Sequence, residues 1–88
     1  ILGEVNMAGD VLFECKMDTN TFKLYRNRLE VIGLFKTQTF FIREITSVTK
    51  KRFSLKEIEI TTSSGKSKKL PIAGAPAEEL RQKILELL

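Results

Sequence analysis

The 88-residue sequence contains no histidine, no tryptophan, one cysteine and two prolines. Without histidine the chain cannot form a Ser-His-Asp or Cys-His catalytic arrangement, and one cysteine provides too few soft ligands for a zinc site. The single cysteine, Cys15, permits no internal disulfide, and we expect it to pack as a small apolar side chain. These absences predict a protein that is not an enzyme and that uses no cofactor or metal.

Long apolar stretches are also missing. The longest apolar run is far shorter than the about 20 residues that a membrane-spanning helix needs. The N-terminal segment ILGEVNMAGD has neither the basic start nor the apolar stretch of a signal peptide. Because the chain starts at Ile1, we expect a domain cut from a longer protein or a processed product. The single cysteine fits a cytoplasmic location.

The sequence is rich instead in short alternating segments. From about residue 11 to residue 72, apolar and polar residues alternate in runs of strand length, separated by turn residues. The intervening turns are too short for crossover connections, so sequential strands are expected to pair antiparallel. Ile45 and Val48 have opposite parity within one such run, which predicts a β-bulge or a bend. We count seven strands in a single domain that spans residues 1–88.

The C-terminal segment has a different periodicity. After the break at AGAP, Pro76 suits the first position of a helix over about 76–88. Glu78 and Glu79 would then lie in the first turn, near the positive end of the helix dipole. One face of this helix is apolar and is expected to cover the open mouth of the β structure. Its residues are Ala77, Leu80, Ile84, Leu87 and Leu88.

Four segments in this order carry a resemblance to a known superfold. They are FKLYRNRLEVIG, FFIREITSVTKKR, KEIEITTSSGKSKKLPI and the final AEELRQKILELL. Together they resemble the pleckstrin-homology (PH) superfold, in particular the bacterial PH-like domains. Eukaryotic PH domains usually place a tryptophan in the closing helix, and this sequence has none. The resemblance implies a mainly β fold, a seven-stranded antiparallel barrel or sandwich capped by one C-terminal helix. A small SH3-like or OB-type barrel is the alternative fold.

Positive charge is concentrated in one part of the chain. Residues 46–75 carry seven basic and two acidic side chains, whereas residues 1–45 carry six of each. Such a surplus suits anionic lipid headgroups or an acidic partner, but lysines also keep exposed sheet edges from aggregating. The basic residues fall in two runs that would lie at opposite ends of the sixth strand. They are Lys50, Lys51, Arg52 and Lys56 in the first run and Lys66, Lys68 and Lys69 in the second.

Apolar side chains supply a second set of candidate contacts. Ile32 and Phe41 have outward parity on neighbouring strands, and Phe53 lies inside the first basic run. An exposed apolar patch at such positions is typical of protein–protein contacts. The sequence argues against nucleic acid, because binding of single strands favours exposed aromatic side chains within a basic groove. Phe13, Phe22 and Phe40 have core positions instead, whereas Tyr25 and Phe35 are further candidates for the surface.

The resemblance and the residues together predict a non-catalytic PH-like module that works by presenting a surface. Bacterial PH-like domains are known for self-association, so the resemblance implies a protein partner or a homo-oligomer. The alternative is peripheral binding to an anionic membrane, at its inner face, through the basic residues.

Overall fold

The protein is described by a computed structural model that covers residues 11–51 and 57–88. Its described part is mainly β, with seven strands, a short 3-10 helix at Ile42–Glu44 and one α-helix at the C-terminus. The elements are β1 (Phe13–Met17), β2 (Asn20–Leu24), β3 (Arg28–Ile32), β4 (Thr37–Phe41), β5 (Ile45–Lys50), β6 (Ile58–Thr62), β7 (Ser67–Leu70) and α1 (Gly74–Leu87).

The strands form two antiparallel sheets. The first has the order β1-β2-β3-β4 and the second the order β5-β6-β7. Each described strand therefore pairs only with the strand before or after it in the sequence. This confirms the predicted mainly β fold with hairpin connections and a C-terminal helix. No ladder joins the two sheets within the described ranges, so the seven strands do not close into a barrel.

Local backbone features explain where the chain turns and bends. Asp18 between β1 and β2 has a φ of 56°, a left-handed conformation that Asp tolerates better than most residues. Gly65 between β6 and β7 has a φ of 87°, which only glycine adopts without strain. The pairing of β5 with β6 shifts register between Ile45 and Ser47. This irregularity confirms the predicted bulge and lets both Ile45 and Val48 face the core.

Both sheets and the helix contribute to one hydrophobic core. Phe22 and Leu29 from the first sheet are fully buried, as are Ile58 and Ile60 from the second. Cys15 is partly buried and packs against this core, as expected of a small apolar side chain. Among the described residues, no polar or charged residue is buried. Burial of each large apolar side chain stabilises the fold by about 1.5–3 kcal/mol.

Helix α1 lies against β1 and β5, which are edge strands of the two sheets. Ala77, Leu80 and Ile84 on its inner face are fully buried, whereas Leu88 is half-exposed. The helix begins at Gly74, two residues before the predicted start, so its first turn contains no acidic residue. The prediction that Glu78 and Glu79 occupy the first turn is therefore wrong.

Tyr25 is buried, which corrects its assignment as a surface candidate. The residue follows β2 directly, and its N–H donates to the carbonyl of Arg28 across the turn at 2.8 Å. The Arg28 guanidinium lies over the Tyr25 ring at 4.0 Å from its centroid and also pairs with Glu30 at 2.9 Å. Arg28 is therefore held in contacts within the fold.

Candidate binding cleft between strands β4 and β7

An open cleft lies between the edge strands of the two sheets. On the side that α1 does not cover, β4 ends the first sheet and β7 ends the second. Residues of both strands line two cavities of about 500 Å³ and 270 Å³. The residues lining the larger cavity are Thr19, Asn20, Val31, Gly33, Leu34, Phe35, Lys36, Gln38, Lys68, Lys69 and Pro71, and those lining the smaller one are Phe40, Ile60, Thr62, Lys66, Ser67 and Lys68.

Among residues 11–51 and 57–88, lysine is the only charged residue type that lines this cleft. Lys66, Lys68 and Lys69 come from β7 and the turn before it, and Lys36 comes from the turn between β3 and β4. All four side chains are exposed, and none has a carboxylate within 4.0 Å among the residues that the structure describes. We call these four residues the cleft lysines.

The inner wall of the cleft is apolar. Phe40 of β4 and Ile60 of β6 line the smaller cavity, and Val31 of β3 lines the larger one. Lys68 pairs with Ile60 across the ladder, so its side chain leaves the same face of the sheet as the core residues. An inward-facing lysine on an edge strand therefore borders both cavities, with apolar surface beneath it.

The first basic run is arranged differently. The Lys50 ammonium lies 3.3 Å from the Glu78 carboxylate and 3.9 Å from that of Glu57, and Lys51 lies 4.0 Å from Glu59. Lys50 pairs with Ile58 at the far end of β6 from Lys66, as expected from the sequence. The charges of Lys50 and Lys51 are thus partly neutralised within the fold. Arg52, Lys56 and Phe53 lie outside the described residues.

Glu78 links this ion-pair group to the helix. The Gln82 side-chain amide donates to the Glu78 carboxylate at 2.9 Å, and Lys50 lies on the same carboxylate group. Both contacts lower the pKa of Glu78 below its ordinary value, and the Gln82 hydrogen bond has the larger effect. Arg81 approaches Glu78 at 3.6 Å and acts in the same direction. The group therefore joins β5 to α1.

The turn between β3 and β4 exposes two large apolar side chains. Leu34 is 70% exposed and Phe35 is 97% exposed, directly beside Lys36 and the larger cavity. Sequence reasoning proposed Phe35 for the surface but did not single out Leu34 or Lys36. The sequence does contain a sign of this exposed pair. Turns are usually polar, and two adjacent apolar residues between Gly33 and Lys36 depart from that composition.

The two described residues of the predicted apolar patch are not brought together. Phe41 pairs with Arg28 at one end of the β3–β4 ladder, whereas Ile32 pairs with Thr37 at the other end. The two positions are four residue steps apart along the ladder, a distance of about 13 Å. Phe41 is 43% exposed, and Ile32 is only partly exposed. They therefore do not form one patch.

No cluster of three or more cysteine, aspartate or glutamate side chains that would suit a metal ion occurs within residues 11–51 and 57–88. In the same ranges, no helix has both the length and the apolarity to cross a membrane. Comparisons of the chain with protein-family models, with curated proteins and with solved structures give no match.

Proposed function

We propose that the protein is a non-catalytic, PH-like interaction module that binds an acidic segment of a partner protein in the cleft between β4 and β7. The PH-like assignment is supported by the arrangement of four strands, then three strands, then one C-terminal helix. Binding at this cleft is supported by one observation above the others. The cleft is open and apolar at its base, and every charged residue that the structure describes on its walls is a lysine.

The free energies of the available contacts indicate what kind of segment the cleft would bind. An exposed ion pair contributes only about 0.2–1 kcal/mol, so four lysines supply at most about 4 kcal/mol. Burial of one apolar side chain against Phe40 and Ile60 adds about 1.5–3 kcal/mol. Since micromolar affinity corresponds to about 8 kcal/mol, the partner segment must combine acidic residues with apolar ones. A purely acidic chain would bind weakly.

The same charges bear on self-association. Two copies meeting cleft to cleft in a symmetric dimer would bring like charges together, which is unfavourable at an interface. A homo-oligomer would therefore have to use another surface. Light scattering across a range of concentrations measures this directly, and a strictly monomeric protein up to high concentration would remove self-association as a function.

A membrane surface is the second candidate, because Leu34 and Phe35 protrude beside Lys36. An apolar turn next to basic residues is suited to the headgroup region of an anionic bilayer, where each lysine contributes about 1 kcal/mol. This attachment would place the protein at the inner, cytoplasmic face of the membrane. Co-sedimentation with phosphatidylserine-containing vesicles at low and raised salt is the test. A lack of salt-sensitive binding would exclude this role.

The main proposal is tested by selecting binders from a random peptide library with the immobilised protein. We expect the selected peptides to be enriched in Asp and Glu, with apolar residues between them. Their binding should be lost in K66E/K68E, which reverses two cleft lysines. The matched control is R26E/R43E, which makes the same change of charge at two exposed arginines outside the cleft lining.

The two variants separate specific binding from general attraction to a basic protein. Both lower the net charge by four, so a general effect would weaken binding equally in both. Selection of peptides without an acidic bias, or equal losses in the two variants, would contradict the proposed function. Circular dichroism spectra of both variants should match wild type, since all four positions are exposed.

A further inference from the structure

Among the residues that the structure describes, β4 pairs only with β3, so its other edge is free. Two hydrogen bonds show which of its backbone groups point to that edge. The Gly33 N–H donates to the Lys36 carbonyl at 2.8 Å, and the Ile42 N–H donates to the Asn27 carbonyl at 3.0 Å. In an antiparallel ladder, hydrogen-bonded pairs alternate with non-hydrogen-bonded pairs. Even-numbered residues from 36 to 42 therefore bond to β3 or to the residues that flank it, which leaves the backbone groups of Thr37, Thr39 and Phe41 directed away from the sheet.

The opposite wall, β7, has a less complete edge. The Thr62 N–H donates to the Lys66 carbonyl at 3.0 Å, so the alternation directs the backbone of Ser67 and Lys69 outward. The next outward position is Pro71, which has no N–H to donate. Proline and lysine on an edge strand are the features that discourage addition of another strand.

By contrast, β4 carries none of these protective features. Its sequence, TQTFF, has no proline and no charged residue, and threonine and phenylalanine favour extended structure. Within the described ranges, three consecutive outward positions of β4 each offer an N–H and a carbonyl. An extended chain lying along β4 would satisfy these groups while its side chains reach the cleft lysines on the facing wall.

From these observations we infer that the partner segment binds as an added β-strand on the free edge of β4, with its acidic side chains directed to the cleft lysines. This inference rests on the proposed function, because it specifies how the acidic segment is held. Main-chain hydrogen bonds to β4 supply register and affinity, and the lysines of β7 select for acidic side chains. Strand addition on β7 is limited by Pro71 to the part of its edge before that residue.

Two proline variants distinguish strand addition on β4 from strand addition on β7. Thr39→Pro removes the central outward N–H of β4 without removing a bond to β3, and Ser67→Pro makes the equivalent change on β7. The probe is the acidic peptide that binds wild type most tightly in the library selection. We expect T39P to weaken binding about tenfold, as loss of one well-formed hydrogen bond does. S67P should leave the affinity within about twofold of wild type.

Amide hydrogen exchange of the wild-type protein provides a measurement that does not depend on a folded variant. With the peptide bound, the N–H groups of Thr37, Thr39 and Phe41 should exchange at least about tenfold more slowly. Unchanged exchange at these three amides would overturn strand addition on β4, as would a loss of binding in S67P but not in T39P. If the peptide still depends on Lys66 and Lys68 in that case, the cleft remains the binding site and only the mode of binding is wrong.

Discussion

Replacement of Leu80 by alanine tests how far the fold depends on packing of α1 against the sheets. Leu80 is fully buried on the inner face of the helix and belongs to the shared core. Truncation of a buried leucine to alanine costs about 2–5 kcal/mol, because the lost apolar contacts add to the cost of a cavity. A domain of this length has a total stability of roughly 4–13 kcal/mol, so one substitution would remove a large share of it.

The assay is urea unfolding followed by circular dichroism at 25 °C. A loss of 3 kcal/mol lowers the urea midpoint by about 1–3 M, and the melting temperature should fall by about 4–8 °C for each kcal/mol. Leu85→Ala is the matched control, because Leu85 lies on the same helix and is 42% exposed. Its change should stay within about 0.5 kcal/mol. Equal losses in the two variants would refute the packing of α1 described above.

Three further predictions concern the turn, the ion-pair group and the second sheet. Gly65→Ala should destabilise the fold by about 1 kcal/mol or more, because the φ of 87° strains any side chain. Equal urea midpoints for wild type and G65A would contradict this. Glu78→Gln should lower stability at neutral pH, since the lowered pKa of Glu78 means that the folded state favours the charged carboxylate. That difference should be complete above the ordinary Glu pKa of about 4.3 and should vanish as the pH falls through the lower pKa of the folded state. A difference that persists in acid would point to a cause other than charge. Ile58→Val should cost about 0.5–1.5 kcal/mol in urea unfolding, and a loss of less than about 0.3 kcal/mol would show that Ile58 is poorly packed.

Local patterns in the sequence predicted much of the fold. The opposite parities of Ile45 and Val48 predicted a bulge, and the register shift after Ile45 confirms it. Helical spacing predicted a buried face of α1 made of Ala77, Leu80, Ile84, Leu87 and Leu88. The first three are fully buried, whereas Leu87 is only partly buried and Leu88, at the end of the helix, is 53% exposed. These features depend on residues that are close in sequence, so their periodicity records which side faces the core.

The composition of the cleft was not predictable in the same way. Lys68 and Phe40 border one cavity because the edges of two different sheets lie near each other, a relation that no local periodicity contains. For the same reason, strand parity alone gave no indication that Ile32 and Phe41 lie at opposite ends of their ladder, since this depends on where the hairpin turns. The basic surplus was visible from composition. Which of the described lysines lie close to a carboxylate depends instead on where the fold places Glu57, Glu59 and Glu78.

Residues 36–40 and 66–70 form the two walls of the cleft, so chemical-shift mapping tests the binding surface most directly. A ¹⁵N-labelled sample would be titrated with the tightest acidic peptide from the library selection at low and at raised salt. We predict that the largest amide shifts occur in these two segments and shrink as the salt concentration increases. Shifts centred on α1, or on the β2–β3 turn around Arg26, would contradict binding in the cleft.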